Sequence, residues 1–185
     1  LPAVYAADSE AETLEVTLKD TATETVVCLR YGVLQEADVI TRSVEIKNNA
    51  AEPLILHRVH SLCLDIPYGE FEWIHFYGRH AMERQAERAP LIHGIQESSS
   101  TRGTSSHQQN PSVLLCEAGC TEKEGFCIGA ALMYSGGFQT QIERDQANQV
   151  RLVMGINPDT FSWKLNPGES FHAPEVILSC SLQGM

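Results

Sequence analysis

Apolar residues recur at every second position in segment after segment of this chain, and each segment stops at a cluster of turn formers. Over residues 13–19, Leu14, Val16 and Leu18 share one face while Thr13, Glu15, Thr17 and Lys19 share the other. That is the period of a strand with one side against a core. Residues 26–34 and 39–47 are rich in β-branched side chains and read as further strands. A turn at residues 48–53 precedes a strand over 54–66, closed at 67–69, and then an aromatic strand over 71–77. Residues 125–134, 138–144, 149–154 and 175–181 continue the series, separated by turn signals at 135–137, 157–158 and 166–168. Residues 80–88 would also suit a helix, with Glu83 and Glu87 on one face, but are read as a continuing strand or extended arm. Many short strands at regular spacing predict an all-β fold, a two-sheet β-sandwich forming one domain over residues 1–185.

Between Gly94 and Pro111 the only large apolar side chain is Ile95, so this stretch is expected to be a long loop. Its heart, Arg102-Gly-Thr-Ser-Ser-His-Gln-Gln-Asn-Pro111, is a dense set of donors and acceptors, with Gly103 free to take unusual dihedrals. Such a run either bonds to its own backbone, or offers Arg102, Ser105, Ser106, His107, Gln108 and Asn110 to an interface or a hydroxyl-rich ligand. A sugar ring also needs an apolar platform, for which Trp73 is the candidate. Trp163, in Phe161-Ser-Trp163, alternates like a core residue. Ser106 and His107 do not read as nucleophile and base, because adjacent strand residues point apart and no third group orients them.

A net charge of −11 argues against nucleic acid or an anionic membrane as partner. No apolar run approaches the roughly 20 residues of a membrane span. Six Cys do not force a disulfide framework at this length. Cys28, Cys63 and Cys180 lie in apolar runs where a thiol packs as a small hydrophobe, so reduced thiols and a cytoplasmic location are expected. Cys116 and Cys120 have a spacing that zinc sites use, and Cys127 is near in sequence, but no second tight pair follows. These thiols are read as packing residues and no metal is expected. His57 and His60, three apart, would fall on opposite faces of a strand. Glu70 and Glu72 share a strand face, and such acids are usually solvated; Arg79, Arg84 and Arg88 interleave with Glu83 and Glu87 as an ion-paired surface.

Several motifs occur in an order that resembles glycoside hydrolase family 36, the α-galactosidases. They are Leu1-Pro-Ala-Val-Tyr5, Glu83-Arg84, Pro90-Leu91, Gly94, the run from Arg102 to Pro111, Tyr134-Ser-Gly-Gly-Phe138, Gly155-Ile-Asn-Pro158, Leu165-Asn-Pro-Gly-Glu169 and Phe171-His-Ala-Pro-Glu175. Position 137 is Gly where the family usually carries Asn. The resemblance implies part of the family's N-terminal supersandwich, with its first strands missing, an exposed edge, and a catalytic barrel that would follow Met185. It implies a parent enzyme that releases terminal α-galactose from melibiose or raffinose with retention, without a cofactor, and that forms a homo-oligomer. A transglycosylase of the raffinose-synthase type is a relative within the same family. Retention needs two carboxyl groups about 5–5.5 Å apart, and the resemblance places neither in this chain, which alone is expected to be inactive. A freestanding carbohydrate-binding module and a purely structural domain are the alternatives.

Overall fold

Alternation becomes strand along nearly the whole chain. The computed structural model describes residues 10–66 and 69–185, which leaves the Leu1–Tyr5 motif and part of the 67–69 turn outside the described residues. In chain order the strands are β1 (Glu12–Lys19), β2 (Thr25–Leu34), β3 (Val39–Asn48), β4 (Leu54–Leu56), β5 (His60–Ile66), β6 (Phe71–Arg79), β7 (Met82–Pro90) and β8 (Gly94–Ser99). After them come β9 (Gln109–Glu117), β10 (Cys127–Leu132), β11 (Phe138–Arg144), β12 (Val150–Ile156), β13 (Trp163–Leu165), β14 (Ser170–His172) and β15 (Val176–Ser181). A nine-stranded sheet runs β1-β2-β3-β15-β10-β9-β6-β7, with β14 sharing the second edge of β3; a four-stranded sheet runs β5-β12-β11-β8. β13 and β4 form a separate two-stranded ribbon.

The two sheets pack face to face as a β-sandwich. In β11, Phe138 and Ile142 turn inward, and in β12 Val150, Leu152 and Met154 do the same. They meet Trp73 of β6, Leu115 of β9 and Ile128 of β10 from the large sheet. Each fully buried large side chain adds about 1.5–3 kcal/mol by leaving water. Gly155 interrupts the register between β12 and β5. A Cβ there would come within 2.7 Å of the Val59 carbonyl and the His60 Cα, so only glycine allows this approach.

The smaller sheet covers only the middle of the larger one. Every residue of β1 is exposed, and β7 is exposed except at Ala89. Leu14, Val16 and Leu18 do share a face, but nothing among the described residues covers it. A second apolar cluster lies beyond the main core, where Val44, Val59 and Ala173 pack with Leu29, Phe161 and Phe171.

Four expectations give way here. Residues 54–66 are two strands in different sheets, because the chain bends at 57–59 and Val59 enters the second cluster. His57 therefore lies outside any strand. The expected loop from Gly94 begins only after Ser99, since 94–99 form an edge strand on β11. Cys63 and Cys180 are exposed, because their apolar runs face outward at those positions. Residues 82–88 are strand: β7 returns along β6 from a tight turn at residues 80–81, with Ala81 at φ +63°.

Removing the Phe138 ring should lower the free energy of unfolding by about 3–5 kcal/mol in urea titration of the Phe138→Ala chain. Leu14→Thr, on the uncovered face, should stay within about 0.5 kcal/mol.

Candidate functional site

The polar run bridges the two sheets at one end of the sandwich, leaving β8 of the small sheet and entering β9 of the large one. Its backbone is fixed from several sides. Ser100 donates its amide to the Phe138 carbonyl at 2.9 Å and its hydroxyl to the Thr104 carbonyl at 2.7 Å. Ser105 donates its amide to Ser135 O at 2.9 Å and its hydroxyl to Tyr134 O at 3.2 Å. Ser106 Oγ accepts from the Gln108 amide at 3.1 Å, closing a small turn. From beneath, Asn157 donates Nδ2 to the carbonyls of Ser100 and Phe138 at 3.2 and 3.3 Å, while its Oδ1 accepts from the Asp159 amide at 3.0 Å. Gly137 lies under the same segment: a Cβ there would sit 3.0 Å from the Ser100 carbonyl.

The loop thus divides its polar groups. Ser100, Ser105 and Ser106 hold the backbone. The side chains of Arg102, His107 and Gln108 are exposed and, like that of Asn110, make no hydrogen bond or ion pair among the described residues. Those four are the groups left to meet something else.

Trp73 does not join them. It is 5 % exposed, packed in the core and stacked on His75 with ring centroids 4.5 Å apart. Its place as an aromatic platform is thereby corrected: β6 turns that side chain between the sheets. Trp163, read as core, is instead 50 % exposed; it lies in the short ribbon with β4 and touches Phe171 at 5.5 Å. Tyr77, past the covered end of β6, is 43 % exposed.

The acids are committed to cations or backbone. Glu70 receives two hydrogen bonds from Arg144, at 2.6 and 3.1 Å, and Glu72 is paired with Arg88. Hydrogen bonding to those guanidinium groups holds both carboxyls below the usual range. A general acid needs the opposite shift. Glu83 accepts from the Ala81 amide and Glu87 lies 3.5 Å from His75. Arg79 and Arg84 enter no ion pair among the described residues, so the expected ion-paired surface narrows to Arg88 with Glu72. Among the described residues no group of His, Cys, Asp and Glu is arranged to hold a metal, and no helix is long and apolar enough to cross a membrane.

Beside the loop, the outer face of the small sheet carries Gln139 and Gln141, both donating to Glu97 at 3.1 and 2.8 Å. Burial raises the Glu97 carboxyl, but donors from Gln141, Ser99 and Gln139 outweigh it and leave the group below its ordinary value. Burial pushes the nearby His60 imidazole down from 6.5, Arg58 adds to this, and Gln139 acts the other way.

The profile of the glycosyl hydrolase family 36 N-terminal domain matches residues 1–166. The chain belongs to family 36. It is 51 % identical over 185 residues to the bifunctional alpha-galactosidase/sucrose kinase AgaSK of Mediterraneibacter gnavus, covering all of this chain and 20 % of that protein. To alpha-galactosidase AgaA of Geobacillus stearothermophilus it is 45 % identical over 186 residues, covering 100 % of this chain and 26 % of the enzyme. The chain thus spans about a quarter or less of these family 36 relatives. The solved galactosidase domain of AgaSK superposes with a TM-score of 0.96 at 52 % identity, covering 100 % of this chain and 26 % of that one. An AgaA variant solved with stachyose superposes at 0.95 and 45 %, with the same coverage of 100 % and 26 %. A putative aldose 1-epimerase of Escherichia coli, at 14 % identity and a TM-score of 0.58, covers 96 % of this chain and 67 % of its own and shares the fold alone.

Two outcomes test this geometry. Asn157→Ala leaves the Ser100 carbonyl and the Asp159 amide without their side-chain partner and removes one of two donors to the Phe138 carbonyl. It should cost about 2–3 kcal/mol in urea unfolding, with faster amide exchange over residues 100–105. Lowering the pH from 7.5 to 5.5 should weaken the fold, because His60 takes up its proton more readily in the unfolded chain. That stability is present above pH 6.5 and is lost as pH falls below it. The His60→Asn chain should show a flatter dependence when unfolded at both pH values.

Proposed function

We propose that this chain is the non-catalytic N-terminal sandwich of a retaining α-galactosidase, one domain over residues 1–185. It supports a catalytic barrel supplied by the rest of the same polypeptide and contributes to subunit assembly. The observation that carries this reading is the lopsided coverage: the whole chain aligns with relatives called alpha-galactosidases, and most of each relative lies outside the match. Terminal α-galactosides such as melibiose and raffinose are then the parent's substrates, cleaved by double displacement on carboxylates outside this chain. The acids described above fit this division, since Glu70 and Glu72 are tied to arginines. The fixed backbone of residues 100–108, with Arg102, His107 and Gln108 uncommitted, suits a surface that meets the barrel or another subunit. Among the described residues β1 lies at the edge of the large sheet, a further route to assembly through strand pairing. Six free cysteines fit a reducing, cytoplasmic setting.

One observation favours a second reading. Trp163 and Tyr77 are both substantially exposed, and open aromatic rings are what a carbohydrate-binding module presents to a sugar. A proton NMR time course of melibiose with the purified chain, recorded with saturation transfer, separates the readings. The supporting-domain reading expects neither galactose release nor transfer to sugar protons. Galactose release would overturn the non-catalytic assignment. Transfer without hydrolysis, abolished by Trp163→Ala or Tyr77→Ala, would favour the binding module.

A further inference from the structure

On the outward face of the large sheet, β9 and β10 place Cys116 directly opposite Cys127. The neighbouring pair, Glu117 and Phe126, is hydrogen-bonded, with the Glu117 amide donating to the Phe126 carbonyl at 2.9 Å. In an antiparallel ladder the pairs alternate, so Cys116 and Cys127 occupy a non-hydrogen-bonded pair. There the Cα atoms stand about 4.5 Å apart, and a disulfide accepts about 4.4–6.8 Å. The two Sγ atoms are 3.2 Å apart. Both thiols are buried, with Cys120, beneath the hairpin loop of residues 118–126 and beside Ile74.

We propose that Cys116 and Cys127 are a thiol modification site, a dithiol that closes to a disulfide and staples the β9–β10 hairpin. The register is already that of a cross-strand bridge, so closure asks only that two sulfurs approach from 3.2 Å to about 2 Å. The oxidant is a peroxide. One thiol loses its proton and its sulfur attacks the peroxide oxygen, giving a sulfenic acid and water. The second sulfur then attacks the sulfenic sulfur and expels a second water. Two thiols and one hydrogen peroxide thus become one disulfide and two waters. Burial raises both thiols above their ordinary values, which slows the first step.

Lys123 lies between the two cysteines, so trypsin cuts the chain into fragments joined only by the bridge. The test treats the folded chain with hydrogen peroxide, alkylates it in denaturant, digests it and maps it by mass spectrometry before and after reduction. The wild-type chain and a Cys63→Ser, Cys120→Ser, Cys180→Ser chain are run in parallel. The proposal expects a reducible link between the Cys116 and Cys127 fragments in both, two fewer alkylated thiols, and a raised melting temperature that Cys127→Ala abolishes. Full alkylation of Cys116 and Cys127 after peroxide would overturn it, and so would a wild-type bridge that runs through Cys120 or between two chains.

Discussion

One apolar seam holds the sandwich together. Phe138, Ile142, Leu152 and Met154 from the small sheet meet Trp73, Leu115 and Ile128 from the large one, and neither sheet has another inward face to bury. Side chains of a strand alternate between its two faces, so a slip of one residue in β11 or β12 would turn Phe138 and Leu152 to solvent and bring Gln139 and Arg151 inside. The seam therefore fixes register as well as stability. The Gly155 bulge, the crossing loop and the small sheet's polar outer face all take their positions from it.

Strands that bury one face were legible in the sequence, because burial writes the alternation. β2, β3, β11, β12 and β15 fell within a residue or two of the segments read from period alone. β8 was not, because its covered positions are polar: Ser98 is buried and donates to Gln109, and Gln96 reaches the Pro90 carbonyl. A strand whose inner side is satisfied by hydrogen bonds leaves no apolar trace. The split between β4 and β5 was hidden for the converse reason, since Val59 stays apolar through the bend by entering the second cluster. The two tryptophans traded places because periodicity tells which residues share a face, not whether another layer covers that face.

The candidate site was half legible. Its composition marked residues 102–110 as unusual, but not which groups were free. Hydroxyls on short side chains reach whatever backbone passes beside them, so Ser106 closes its own turn and Ser105 bonds the Tyr134 carbonyl 29 residues on. The longer Arg102 and Gln108 carry their polar ends away from the chain. Asn157, which holds the loop from below, stood in the sequence only as part of an Asn-Pro turn signal, and its role depends on a contact 57 residues away.

The placement of β15 bears on how such a chain is made. Its last strand is not at an edge but between β3 and β10, where residues 176–179 pair with 42–39 and residues 176–181 with 132–127. During synthesis both β3 and β10 have emerged long before Ser181, each with one row of amides and carbonyls unsatisfied. The large sheet is in two halves until β15 arrives to join them, and loop closure over more than a hundred residues is slow. The large sheet therefore cannot close until residues 176–181 have been made, and until then its two halves present open edges.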